Sequence, residues 1–223
     1  MEKGLKKEIN AEFYCSTTRP AAVYRGNPFV IECSIAYGGD LPGDQAVTLF
    51  RFANRVPLLY QQGACSITES VAKTNWKSYG LQQSGNALPV GPAVIMVHMA
   101  SVWVPFTSEA KEALAHYPEI IKEIKLAVQE SGRKLGLYVN KKKRVHQQLQ
   151  RAGLFELYIP EISASLAEIT GEKKETLIDE LKKMLNKEEI QAQIGPAPED
   201  ETEDIFRLNK KKENGEEEKQ SEK

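Results

Sequence analysis

The sequence predicts an α/β chain, a sheet backed by helices that gives way to a long helix and then to a charged tail. Three stretches carry that expectation. Ala93 to Ala100 is short, nearly all apolar and rich in β-branched residues, with Gly91-Pro92 before it and Pro105 after. Such a run marks a strand buried on both faces. From Phe29 to Tyr37, Phe29, Ile31, Cys33, Ile35 and Tyr37 share one face while Val30, Glu32, Ser34 and Ala36 take the other, the alternation of a half-buried strand. After Pro118, Ile120, Ile121, Ile124, Leu126, Ala127, Val128, Leu135, Leu137 and Tyr138 recur at spacings near three and four, the stripe of an amphipathic helix.

Taken in order, residues 1–18 are polar and irregular and read as the end of a connection from an upstream domain. Arg19 to Pro28 is a turn-rich entry. Val47 to Phe52 is a second strand, and the short loop after Tyr37 predicts that it forms a hairpin with the first. Pro57 excludes a central strand or a helix interior, and the polar Asn54-Arg55 pair is odd for a surface loop. A short helix runs from Ser66 or Thr68 to Lys73. Trp76-Lys77-Ser78-Tyr79-Gly80 then places two aromatics around a lysine beside a glycine stop. Either Trp76 and Tyr79 plug the core edge, or their apolar bodies brace Lys77 against a phosphate backbone.

After the central strand, Pro105 ends the ladder because it has no N–H to donate. Thr107 or Ser108 is the expected cap of the next helix, with Glu109 to Glu112 in its first turn. That would set Lys111 at a helix N-terminus, where free N–H groups, the positive dipole end and an ammonium seat an anion. The plain alternative is a capped helix with one solvated lysine. In the long helix Gly132 and Gly136 each cost up to ~1 kcal/mol relative to alanine, yet they permit close packing. Lys141, Lys142, Lys143 and Arg144 extend it as a basic run, either a solvated helix end or a phosphate-contacting element. The helix is expected to stop near Ala152-Gly153. Leu154 to Pro160 is too apolar for a free linker. Helices follow at Ile162–Ile169, stopped by Thr170-Gly171, and at Glu175–Leu185, and the charged end from about Ile194 reads as disordered.

Lys+Arg 30 against Asp+Glu 31 leaves a formal net charge of -1, so any nucleic-acid contact must be a local patch. Cys15, Cys33 and Cys65 lie far apart without metal-ligand spacing, and His98, His116 and His146 are equally scattered, so reduced structural thiols and no metal site are expected. The charged N-terminus lacks the apolar core of a signal peptide. No apolar run approaches the ~20 residues that cross a bilayer. The expectation is a cytoplasmic protein without membrane contact.

Thr18-Arg19-Pro20, Val23 to Phe29, Ala36 to Gly39, Arg51 to Tyr60, Trp76 to Gly80 and Pro105 to Glu112 resemble, in that order, the B-subunit family of archaeal type IIB topoisomerases, the topoisomerase VI group. The likeness is strong over residues 1–140 and looser over 154–185, and the Arg51–Tyr60 run is its most specific part. It implies a ribosomal-S5-domain-2-like transducer: a two-layer, mainly antiparallel sheet covered by helices, one of them a long stalk. The implied organisation is 1–18 linker, 19–152 transducer with stalk, 153–193 helical C-terminal extension and 194–223 disordered charged tail.

The resemblance also implies function. The family couples ATP binding and hydrolysis to double-strand cleavage and strand passage, relaxing supercoiled DNA, with the topoisomerase VI A subunit as partner. This chain lacks the asparagine-bearing helix and glycine-rich boxes that hold Mg-ATP in the family, and it has no counterpart of the tyrosine with which that partner attacks DNA. ATP and Mg are therefore expected only through an N-terminal ATPase domain absent here. By itself this chain is expected to be non-catalytic, a fragment or one part of a split or interrupted polypeptide. By position, Lys111 matches the family's switch lysine for the γ-phosphate. Trp76, Lys77 and Tyr79 match an element tied to sensing bound double-stranded DNA, and Lys141, Lys142, Lys143 and Arg144 are DNA-contact candidates from charge. The helices after Leu154 are the expected hold on the A-type partner. The rival expectations are a non-catalytic S5-like module binding RNA or protein, and a degenerate fragment inactive alone.

Overall fold

A computed structural model describes residues 1–184, which divide into a unit of residues 1–139 and a second beginning at Asn140. The first unit is built on six strands: β1 (Phe13–Thr18), β2 (Ala22–Tyr24), β3 (Asn27–Tyr37), β4 (Thr48–Ala53), β5 (Val56–Pro57) and β6 (Ala93–Ser101). Their order is β1-β3-β6-β4-β5, with β2 beside the start of β3. All pairings are antiparallel except β4 with β6.

The expected hairpin between β3 and β4 does not form, because β6 lies between them. The reason is burial. Ala93, Ile95, Val97 and Met99 are buried on one face of β6 and Val94 on the other, so the most apolar strand takes the centre, where both faces are covered. The expectation of an irregular linker over residues 1–18 is also corrected. Glu2–Glu8 forms helix α1, and β1 pairs along β3 from Phe13↔Tyr37 to Thr18↔Glu32. Serines and threonines hid that alternation, yet Cys15 and Thr17 are buried.

One sheet face is covered by helix α2 (Ser66–Ala72) and by the start of helix α3 (Pro118–Thr170). Ile67 and Val71 of α2, with Ile120, Ile124, Ala127, Val128 and Leu135 of α3, bury against Ile31, Cys33, Ile35, Ile95 and Val97. On the opposite face Leu5 of α1 packs with Ala36 and Val94, flanked by Ile9, Tyr14 and Met96. The layers are also joined by polar contacts. Arg19, at the break between β1 and β2, reaches Glu123 at 3.1 Å and Glu130 at 3.4 Å on α3, and Lys134 Nζ donates to the Ser16 carbonyl at 2.8 Å. Cys15, Cys33 and Cys65 are free and buried, and burial pushes the Cys15 and Cys33 thiols up to about 12. Both outer borders of the sheet carry proline, Pro57 within β5 and Pro20 between β1 and β2.

The two stalk glycines do pack closely. A Cβ on Gly132 would lie 2.5 Å from the Tyr79 ring, and one on Gly136 would lie 3.3 Å from the Tyr79 Cα. Gly132→Ala should therefore destabilise the unit by about 1–3 kcal/mol through overpacking, despite the helix propensity gained. Urea denaturation of the two forms checks this. Equal midpoints would mean that Tyr79 swings away freely.

In the second unit α3 does not stop at Ala152-Gly153 but continues to Thr170, with Pro160 inside it. Gly153 keeps helical backbone and does not turn left-handed. Gly171 does, at φ 75, and its N–H bonds the Ala167 carbonyl at 2.9 Å. The separately expected helix at 162–169 is thus the end of α3. Helix α4 spans Lys174–Met184. Leu185 and the tail expected over 194–223 lie outside the described residues. Among the described residues no helix is long and apolar enough to cross a membrane.

Candidate functional site

The site grows from the end of β6, which the turn between β4 and β5 holds in place. Asn54 sits there at φ 52, a left-handed position that asparagine tolerates. Its side chain pairs reciprocally with Ser101, donating to the Ser101 carbonyl and accepting the Ser101 N–H, each at 2.9 Å. The Asn54 backbone N–H bonds Met99 at 2.7 Å, and its carbonyl lies 2.8 Å from His98 Nε2. The other His98 nitrogen meets Glu32 at 2.9 Å. Asn54 thus extends the ladder past the strand's last residue, which accounts for an asparagine at that place. The buried Arg51 secures the same turn, donating to the carbonyls of Leu58 at 2.7 Å and Tyr60 at 3.1 Å.

Beyond Ser101 the chain forms a loop over residues 102–117. No helix begins at Thr107 or Ser108, which corrects the expectation of a capped helix there. Phe106 and Leu114 bridge antiparallel, Thr107 N–H bonds Ala113 at 2.9 Å, and Ala115 N–H bonds Pro105 at 2.8 Å. Pro118 is the physical reason. It disfavours helical backbone at Tyr117, so a helix from Ser108 would end within a few turns, a length that is marginal in water. Cross-loop bonds satisfy the backbone instead and drive Ala113 and Leu114 fully into the core. Leu114 O also accepts the Ser66 N–H at 3.1 Å, at the head of α2.

Lys111 stands at the tip of this loop. It is exposed, at φ 56, and its N–H closes a turn onto the Ser108 carbonyl at 3.2 Å. The helix-dipole part of the expected anion seat is therefore missing, while the solvent-facing lysine remains. At the rear of the loop His116 meets Glu69 of α2 at 2.7 Å. Hydrogen bonding from Lys73 holds the Glu69 carboxyl below the usual carboxylate range. At the front, Trp103 is half exposed.

The Trp76–Tyr79 segment is a 3-10 turn whose two aromatics face inward. Trp76 is 0% exposed and donates its indole N–H to Val71 at 2.7 Å. Tyr79 meets it edge-on, 5.9 Å between ring centres, and fills the notch over Gly132. Trp76 therefore cannot touch DNA, and Tyr79 is half buried. Lys77 alone of the three is exposed. In the second unit, Lys143 and Arg144 are exposed and Lys141 and Lys142 half buried. Four consecutive helical residues point in different directions, so they do not form one face.

Sequence reasoning missed a group of aromatics around Tyr24. Its ring lies 4.5 Å from Tyr117 and 6.3 Å from Trp103, and the Arg25 guanidinium stands over Tyr24 and Tyr117 at 5.4 and 5.6 Å. Only the Tyr24-Arg25-Gly26-Asn27 turn signal could have drawn attention to it. Among the described residues no cluster of metal-ligating side chains occurs.

Comparison with known proteins agrees with this architecture. The family described as topoisomerase VI B subunit, transducer, matches residues 1–151. The B subunit of type 2 DNA topoisomerase 6 from Natronomonas pharaonis is 46% identical over 187 residues, covering 83% of this chain and 23% of the relative. The protein of the same name from Methanococcoides burtonii is 48% identical, covering 74% and 27%. That from Halobacterium salinarum is 55% identical, covering 57% and 16%. The chain thus spans about a quarter of the length of the first two of these curated relatives.

Proposed function

The chain belongs to the family of topoisomerase VI B-subunit transducers, and from that premise we propose that it is the coupling element of an ATP-dependent type II DNA topoisomerase. It would read the state of a nucleotide held elsewhere in the same B-type protein and pass that state to the A-type partner, which cleaves DNA. The observation that carries this reading is Lys111, exposed at the tip of a loop anchored at both ends. A lysine ammonium is a compact point charge suited to a terminal phosphate. With ATP and Mg in the neighbouring domain, Lys111 would pair with the γ-phosphate and hold the transducer in one orientation. Hydrolysis removes the partner, and a single differential contact then biases a two-state pivot.

In the same reading, Lys77 contributes one contact to the phosphates of double-stranded DNA, and Lys141, Lys142, Lys143 and Arg144 supply charge farther along α3. The exposed Leu154, Phe155, Leu157 and Tyr158 would meet the A-type partner, because the three- and four-residue spacings of Leu154, Leu157 and Tyr158 and of Phe155 and Tyr158 gather exposed apolar side chains on one side of the helix, the mark of an interaction face.

The test compares nucleotide states. In the complete heteromeric enzyme, Lys111→Ala should cut the affinity advantage of a slowly hydrolysed ATP analogue over ADP about tenfold, the loss of roughly 1.4 kcal/mol. An unchanged ratio would remove the lysine from nucleotide sensing. Lys77→Ala should weaken duplex binding evenly across sequences and lower the salt slope by about one. Anisotropy titrations at several salt concentrations read this, and an unaltered slope would exclude a phosphate contact.

A further inference from the structure

The loop over residues 102–117 leaves the sheet at β6 and returns at α3, and one side chain holds both of its ends. Tyr24, at the end of β2, is 7% exposed. Trp103, two residues past the end of β6, stacks near it with an interplanar angle of 20° and centroids 6.3 Å apart. Tyr117, immediately before α3, lies 4.5 Å away on the same ring. Arg25 follows in a left-handed turn at φ 49, and its guanidinium covers Tyr24 and Tyr117. Aromatic pairs of this kind attract one another beyond what burial alone supplies, and Arg25 adds attraction to two ring faces.

We propose that Tyr24, Trp103 and Tyr117 form a clasp that positions Lys111, making them positioning residues for the nucleotide-sensing loop. The proposal rests on the assignment of Lys111 to a terminal phosphate. The Phe106–Leu114 bridge fixes the middle of the loop, and the clasp fixes its entrance and exit to one ring on the sheet. A lysine on a loop closed at its base loses little freedom when it meets its anion, which is the advantage of preorganisation. The Tyr117 side continues directly into α3 and is the tighter contact. Trp103 is 45% exposed and farther from Tyr24, so it is the side that can be removed without opening the core.

The experiment is a double-mutant cycle in the complete heteromeric enzyme, reading ATP hydrolysis, with thermal melting recorded alongside. Trp103→Ala should lower kcat about tenfold with little change in melting temperature, and Trp103→Phe should restore most of it. In a Lys111→Ala background, Trp103→Ala should add nothing, because a residue acting through Lys111 has no further effect once that lysine is gone. If Trp103→Ala leaves kcat unchanged while Lys111→Ala lowers it, the clasp is overturned and the lysine assignment survives. Additive losses would place Trp103 in some other role and equally overturn the clasp. A silent Lys111→Ala would remove the premise, and the positioning role with it.

Discussion

Lys111→Ala in the complete enzyme should slow ATP hydrolysis and plasmid relaxation about a hundredfold, the cost of removing one preorganised charge-stabilising donor from a reacting group. Folding should be unaffected. The side chain is exposed and makes no core contact, and both lysine and alanine carry the Cβ that the left-handed backbone at φ 56 must accommodate. The melting temperature should therefore move by no more than a few degrees. Lys111→Arg keeps the charge on a larger, planar head and should recover only part of the rate. Steady-state hydrolysis and gel-based relaxation decide the matter. Wild-type kcat in the alanine form would mean that the ammonium faces solvent for no mechanistic purpose.

Trp76→Ala should fail in the opposite way, through stability. The indole is 0% exposed and its N–H has a buried acceptor in Val71, so truncation leaves a cavity and removes a buried hydrogen bond. The combined cost is about 3–5 kcal/mol, which for a unit of this size lowers the melting midpoint by roughly 10–20 °C. Near-UV circular dichroism melts check it. Any loss of DNA binding in that variant would follow unfolding, whereas Lys77→Ala should lose DNA contact with its melting curve unchanged. A Trp76→Ala protein that melts like wild type would mean that the neighbouring Tyr79 and Gln83 refill the space. The two substitutions, one residue apart, separate a core plug from a contact residue.

Much of this fold was legible because the informative strands are apolar. The run Ala93–Ala100 announced a doubly buried strand, the alternation over 29–37 its half-buried neighbour, and Pro118 the start of α3. Strand β1 was not legible, since Cys15, Ser16, Thr17 and Thr18 carry too little apolar contrast for alternation to show, and its burial comes from long-range pairing with β3. Strand order was hidden for a similar reason. A short loop favours a local hairpin, and only the burial of β6 on both faces overrides it. At the site, the spacing of Thr107, Ser108 and Glu109 fits a helix cap locally, but Pro118 and the buried pair Ala113–Leu114 make the loop win. Lys111 is a candidate by resemblance. Its clasp could not be read that way, because Tyr24, Trp103 and Tyr117 are scattered along the chain and meet only after β2, β6 and α3 are in place.

The prolines at the two rims of the sheet have a consequence for how crowded molecules behave. A strand from a neighbouring copy could add itself only where a rim offers an unbroken row of donors and acceptors; on one rim Pro57 takes a donor out of β5, and on the other Pro20 confines such a row to the six residues of β1. Growth by strand recruitment is thereby refused on the β5 side and limited to one short strand on the β1 side, so concentrated solutions should be slow to form fibrils while the sheet stays intact.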